Sequence, residues 1–582
     1  MENLRTLKKY FIRYKRKLFL GFLFILLSNA GTLYVPILMK DAINQLQNNT
    51  TVHTLLFYSS LIVLSSLFAG IFRFLIRQTI IVVSREIEFD LRNDFWSHIQ
   101  KLPLRYFQNN STGNIMSHAT NDINAVRNFI GPAVMYSIDT GVRLLIVVSI
   151  MLSLEWTLTL AALFPLPLLS YGVYRIMKLI HEKYTKIQEA FSVLTTVAQE
   201  NFSGIRVIKS YVREANEIQK WKNLSKDYLN KNMNLVRIQA WIMPILLIIT
   251  GISIIIVIWI GGMKVINGTL SLGEITAFIV YLGILIWPVI AFGWVTNIVQ
   301  QAEASMKRLN KIFSEPYEID DSEKTDFSIN EIKGEIEFRN VSFRYSDVLP
   351  NVLSNVNLKI HVGSTLAIIG HTGSGKTTLI NLIPRLYDTT EGEILIDGVD
   401  VRKIPLDVLR RNIGLVPQES FLFSDTITNN IGYGLREISK EKIIEVSRIA
   451  QFDKDVESFP NGYETIVGER GITFSGGQKQ RACLARALAI EPKILILDDS
   501  FSAVDTNTEE EILKNLKQYM KNRTSIIISH RISTVKDADN IIVLHEGKIA
   551  EQGTHDELVA LGGLYADLHF KQLLEKELEE LN

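Results

Sequence analysis

GHTGSGKT, residues 370–377, is the stretch on which the reading of this chain turns. The strand-like TLAII just before it runs into Gly370, and residues 378–386 read as a helix. Between them, Gly373 and Gly375 let main-chain N–H groups close around anionic oxygens. In a G-x-x-x-x-G-K-T string, Lys376 brings a point charge to the outer phosphates of a nucleotide and Thr377 offers its hydroxyl to magnesium. Further along, ILILDD at residues 494–499 has the apolar run of a buried parallel strand and ends on Asp498, a hard oxygen ligand suited to hold magnesium through water. An Asp in that position is by itself more often a turn or cap residue. The GKT pair upstream turns the reading toward the metal.

Between these two motifs lies SGGQKQR, residues 475–481, followed by the helix-forming ACLARALA. With all three in place, the chain resembles half-transporters of the ATP-binding cassette (ABC) exporter family, of multidrug or lipid type, over essentially its whole length. The resemblance implies a membrane all-α domain of six helices fused to a cytosolic α/β P-loop nucleotide-binding domain. It also implies ATP and Mg2+ as cofactors. In that family two nucleotide-binding domains sandwich two ATP molecules, each held by the phosphate loop of one domain and the signature motif of the other. Here the phosphate loop supplies Gly370, His371, Thr372, Gly373, Ser374, Gly375, Lys376, Thr377 and Thr378. The signature is Ser475, Gly476, Gly477 and Gln478, preceded by Phe474 where the family usually has Leu. That change is apolar for apolar and bears on packing more than on phosphate contact.

Further positions match residue by residue. Tyr345 in FRYSD fits the aromatic that stacks on adenine. Gln418 in LVPQES fits the glutamine that touches magnesium and the transmembrane interface, which makes the implied magnesium set Thr377, Gln418 and Asp498. GERG, residues 468–471, resembles the segment that exporters place near the coupling helices. Asp505 in SAVD matches the residue that communicates across the dimer, and His530 in IIISHR the switch histidine on the terminal phosphate.

One departure bears on mechanism. After the magnesium Asp the family places Glu, whose carboxylate polarises the attacking water; here the residue is Asp499. Removing one methylene withdraws the oxygen by about 1.5 Å, and a misplacement of ~1 Å can lower the rate ~100-fold. Slow hydrolysis at this chain's own site is expected unless the backbone shifts to restore the distance. With the signature intact, the resemblance implies one half of a heterodimeric exporter that lends its signature to a better-equipped partner; a homodimer is the alternative. The catalytic set is then Asp499, His530 and Gln418. A nonpumping role, as an ATP-gated channel or a regulatory half, also stays open.

At 582 residues the chain is too long for one ordinary domain, and its mean hydropathy of +0.15 with 21% charged residues averages an apolar half and a polar half. A net charge of +1 provides no basic field for nucleic acid. The single cysteine, Cys483, allows no disulfide within the chain and reads as a small buried thiol.

Six apolar stretches approach the ~20-residue spanning length: residues 18–39, 55–83, 129–153, 156–177, 241–263 and 275–299. The basic residues ahead of the first resemble the start of a signal peptide, but five further spans favour a retained anchor. Segments 4–17, 85–127 and 175–237 are rich in Lys and Arg, whereas 40–54, 154–155 and 264–274 are short and carry little positive charge. The former therefore face the cytosol, and the nucleotide-binding domain returns to that side of a multi-pass cell membrane protein. The domain limits read as 1–315 for the membrane part, 316–333 for an acidic, polar linker and 334–582 for the nucleotide-binding part.

The long cytosolic segments look helical, as extensions of the spans. In the family such extensions end in coupling helices; PLRYFQNNSTGNIMSHATNDI, residues 103–123, resembles the first, with Gly113 at its turn, and GIRVIK, residues 204–209, the second.

Cargo is less legible. Asp139 and Arg143 share one helix face and can pair, either to hold the bundle or to meet cargo. Arg73 and Arg77 fall near the inner interface, where snorkelling to head groups is sufficient explanation. Pro165, Pro167 and Pro288 suggest kinks, and Trp287 and Trp294 either line an apolar pocket or anchor at the interface. The resemblance implies a hydrophobic or amphipathic cargo, a drug or lipid. No peptidase-like extension and no separate substrate-binding domain is evident, so peptide maturation and import are not expected.

Overall fold

The computed structural model describes residues 2–47, 51–468 and 474–580. They divide into two compact units, Met1–Ile99 with Thr112–Glu315, and Gln100–Ser111 with Pro316–Asn582.

The first unit is helical. Five helices among the described residues are long and apolar enough to cross a membrane: Lys15–Leu46, Val52–Ile99, Thr112–Leu154, Glu214–Ile266 and Leu272–Phe313. The stretch expected to form the fourth span is helical too, but is divided into Trp156–Leu163 and Pro165–Ser203 by one turn residue, Phe164. Pro165 has no N–H to continue the preceding helix and so opens the next one. All six stretches outrun the apolar segments that define them, as expected for spans that continue as cytosolic helices.

The apolar interior of this unit gathers Leu33, Val147, Met151, Leu158, Phe278 and Tyr281, which share a buried cluster. The Tyr281 hydroxyl is satisfied by donating to the Leu33 carbonyl at 2.9 Å. The basic N-terminus is neutralised in a way composition does not reveal. Lys9, Arg13 and Lys17 pair with Asp94, Asp90 and Glu86 at 2.7, 2.7 and 2.5 Å, a ladder with a four-residue step on each side.

Two details of the coupling segments emerge. The helix Leu104–Asn109 ends at Asn110, whose φ of −125° and ψ of 122° are extended. The turn therefore falls at Asn110 and Ser111, while Gly113 lies inside the next helix, Thr112–Ser117. Ile205–Ser210 forms a short separate helix with no buried residue.

The described residues of the second unit form ten strands. These are β1 (Ile336–Phe343), β2 (Leu353–Ile360), β3 (Thr365–Ile369), β4 (Glu391–Ile396), β5 (Val399–Asp400), β6 (Ile413–Val416), β7 (Ile494–Asp498), β8 (Thr524–Ile528), β9 (Asn540–His545) and β10 (Lys548–Gly553). One sheet is antiparallel in the order β2-β1-β4-β5. The other runs β10-β9-β3-β8-β7-β6, parallel from β9 to β6 with β10 antiparallel at the edge. Every residue of β7 and β8 is buried, which is why residues 494–497 and 526–528 read as apolar runs without alternation: a parallel strand covered on both faces has no polar side to alternate with. Ligands of such sheets bind beyond the carboxyl ends of the strands, and those ends organise the site described next.

Candidate nucleotide site

Four of the parallel strands deliver expected residues at or just past their carboxyl ends. β3 leads into the phosphate loop, β6 into Gln418, β7 into Asp498 and Asp499, and β8 into His530. Gln418, Asp498, Asp499 and His530 line one cleft of about 320 Å3 together with Tyr345, Lys376, Thr377 and Thr378. Residues distant in sequence meet there because adjacent strands lie ~5 Å apart.

The phosphate loop has the geometry an anion needs. Gly375 adopts φ +101°, a left-handed conformation, and a side-chain carbon there would lie 3.1 Å from the Val352 carbonyl. The helix begins at once, Lys376–Leu382, two residues earlier than the sequence suggests. It stops short of Pro384, which has no N–H to continue the ladder. At Gly370 an added carbon would sit 2.2 Å from the Leu544 carbonyl, so the loop packs against β9 as tightly as a bare backbone allows.

Electrostatics mark the cleft as built for a charged guest. Burial holds the Lys376 ammonium below its ordinary pKa, partly offset by the charges of Asp498 and Asp499. Its Nζ donates to the carbonyls of Gly370 and His371 at 2.8 and 3.0 Å. Burial pushes the Asp498 carboxyl up; a hydrogen bond from Thr377 works against this, and the charge of Asp499 adds to it. Ser374 Oγ is buried without any hydrogen-bond partner among the described residues. An orphaned hydroxyl, a compressed loop and a lysine next to two carboxylates fit a magnesium-bound nucleotide. Thr377, Gln418 and Asp498 could hold the cation, which when bound would neutralise charge on the phosphates.

Tyr345 stands at the rim, its hydroxyl 2.8 Å from Thr378 Oγ1. Its ring meets Phe343 and Tyr387 edge-on, with centroids at 4.9 and 5.4 Å, which fixes the face available for stacking.

Asp499 is held by its backbone. Its φ is +46°, a left-handed conformation that Asp tolerates better than most residues. Its N–H donates to Ile528 O at 3.0 Å, and its carbonyl accepts from Ser502 Oγ at 3.1 Å.

The signature residues are not in this cleft. Ser475 and Gly476 are exposed, and Ser475 caps the helix Gly476–Ala489. Its Oγ accepts from Gln478 N at 3.2 Å while Gln478 Oε1 accepts from Ser475 N at 3.0 Å. The Gln478 amide also donates to Asp455 at 2.9 Å. Phe474 is buried, stacked on Phe459 at 5.3 Å and edge-on to Phe452 at 5.9 Å, so two aromatics absorb the larger ring. Asp505 is spent on a structural task as well: it caps the helix Thr506–Met520 by accepting from Thr508 N at 3.0 Å, and that bond holds its carboxyl below the usual range. Of the GERG segment, residues 469–471 lie outside the described residues.

Sequence reasoning passed over Gln480. It is buried and joins the signature helix to the loop after Asp499, accepting from Ala503 N and donating to Ser502 Oγ, both at 3.0 Å. A glutamine in a run of helix formers carries no signal of that contact.

With this geometry established, comparison with known proteins is decisive. The family model described as ABC transporter transmembrane region matches residues 18–289, and the one described as ABC transporter matches residues 353–502. Over 569 residues the chain is 36% identical to the probable multidrug resistance ABC transporter ATP-binding/permease protein YheI of Bacillus subtilis, covering 97% of this chain and 96% of that one. The chain belongs to the ABC transporter family. This ABC transporter is also 36% identical to an ATP-dependent lipid A-core flippase of Syntrophus aciditrophicus, with 96% and 92% of the two chains covered. A bacterial Atm1-family ABC exporter solved with ATP bound superposes with a TM-score of 0.79 at 27% identity, over 96% of this chain and 98% of that one. The transporter is thus a multi-pass membrane exporter that couples ATP hydrolysis to transport.

Proposed function

We propose that this transporter is one half of a heterodimeric exporter of hydrophobic or amphipathic compounds, and that its own site hydrolyses ATP slowly. Tyr345 and the phosphate loop bind the nucleotide. Thr377, Gln418 and Asp498 serve the magnesium ion, His530 contacts the terminal phosphate, and Asp499 stands where the water-polarising carboxylate is needed. Ser475, Gly476, Gly477 and Gln478 serve the partner's nucleotide, and Asp505 communicates across the dimer.

The observation that carries this reading is the pinned backbone of Asp499. Its N–H and carbonyl are both engaged, so the main chain is held back from advancing to make up for the shorter side chain. A second support is that the signature residues lie outside the cleft, which leaves them available to another subunit. Relatives named for multidrug resistance and for lipid A-core flipping support a hydrophobic or amphipathic cargo.

The test is affinity purification of the tagged chain from its native membrane, followed by ATPase measurement. A second half-transporter with glutamate after its magnesium aspartate is the expected companion. A chain that purifies alone and transports at full rate refutes the proposal.

A further inference from the structure

We infer that the cargo carries an anionic head group, received by Arg73 and Arg77 in a cavity of the membrane unit; this rests on the export reading above and names its substrate class. The cavity measures about 360 Å3 and opens among the first, second, third and sixth membrane helices. That volume suits a head group with the first part of its apolar body.

Its chemistry is divided. Ile25, Ile76, Met135 and Trp287 offer apolar and aromatic surface. Asp139, Arg143 and Asn29 form a closed set. The Arg143 guanidinium donates to Asp139 Oδ2 at 3.0 Å and to Asn29 Oδ1 at 3.1 Å, while the Asn29 amide donates to Asp139 Oδ1 at 2.8 Å. That set is neutral and its acceptors are engaged, so it stitches the third helix to the first and leaves little for a guest.

Arg73 and Arg77 differ. Both line the same cavity and both are exposed, and among the described residues neither has a hydrogen bond or ion pair. Four residues apart on one helix they face the same way, and like charges so placed repel. Two unpaired guanidiniums facing an apolar wall suit a phosphate, carboxylate or sulfonate, which they engage in forked pairs, and disfavour a cationic amphipath. Depth agrees. At a rise of 1.5 Å per residue Arg73 lies roughly 30 Å along the second helix from Val52, about the thickness of the hydrocarbon core, hence level with inner head groups. An amphipath entering from the inner leaflet presents its charge at that height.

The test uses the transporter purified with its partner subunit, in nanodiscs and then in vesicles. Two fluorescent lipids with identical chains serve as probes, one with a bare phosphate head and one with phosphocholine. The phosphate-headed probe is expected to bind roughly tenfold more tightly. Arg73→Gln combined with Arg77→Gln should bring that ratio close to one, and the corresponding Lys pair should keep most of it. Inorganic phosphate at probe concentration should not displace the lipid. Equal binding of both probes, a ratio that survives the Gln pair, or displacement by phosphate alone overturns the inference. ATP-dependent movement separates the two readings. Head-selective binding without movement removes the export reading and leaves the pocket standing. Movement without head selectivity does the reverse.

Discussion

The buried amide of Gln480 accepts a hydrogen bond from the backbone N–H of Ala503 at 3.0 Å, tying the signature helix to the loop that follows Asp499. Nothing else is needed to make the position of one motif depend on the other within a single chain. Gln480→Leu keeps the approximate volume but leaves the Ala503 N–H unsatisfied, at a cost of about 1–3 kcal/mol. The expected outcome is a fall of a few degrees in the unfolding midpoint, measured by differential scanning fluorimetry, accompanied by reduced ATP turnover.

Gly375→Ala introduces a side chain at φ +101° and within 3.1 Å of the Val352 carbonyl. The loop must open to relieve this, at about 1–3 kcal/mol for the backbone strain alone. Affinity for a fluorescent ATP analogue should drop at least ~10-fold by titration, with the membrane unit still folded.

For Asp499→Glu the direction is a gain. The anchors to Ile528 O and Ser502 Oγ are made by the main-chain N–H and carbonyl of residue 499 and survive the change, so the added methylene is free to reach toward the water. Single-turnover hydrolysis at this site should rise, by as much as ~100-fold if the whole distance error is recovered. Unchanged or lower turnover would show that the shorter carboxylate is not what limits this site.

Ser475 allows a sharper test than simple truncation. Because its Oγ caps the signature helix, Ser475→Ala confounds lost phosphate contact with about 1 kcal/mol of lost cap. Ser475→Asp keeps an acceptor for Gln478 N but sets a negative charge toward the partner's phosphates. ATPase activity of the complex should nearly vanish while the unfolding midpoint stays close to wild type.

Much of this transporter was readable before any coordinates. The P-loop strand, turn and helix follow from glycine spacing, and β7 and the last three residues of β8 from apolar runs that admit no solvent-facing side. Five of the spans are evident from length and hydropathy, because a bilayer imposes both. Local signals faded where two interactions competed over few residues. Pro165 divides the fourth stretch, and the coupling turn forms at Asn110 and Ser111 although Gly113 is nearby and more permissive.

Sequence alone named the candidates for the nucleotide chemistry, because their types and spacing are dictated by backbone geometry around phosphate. Tertiary structure alone decided which distant groups share a space: the Lys9, Arg13 and Lys17 ladder on Asp94, Asp90 and Glu86, the Gln480 link to Ala503, and the cavity where Arg73 and Arg77 have no partner among the described residues while Arg143 is satisfied. The reason is physical. Periodicity reports which face of an element is apolar, but the partner of a polar side chain is set by how elements pack, and that packing is a property of the whole fold.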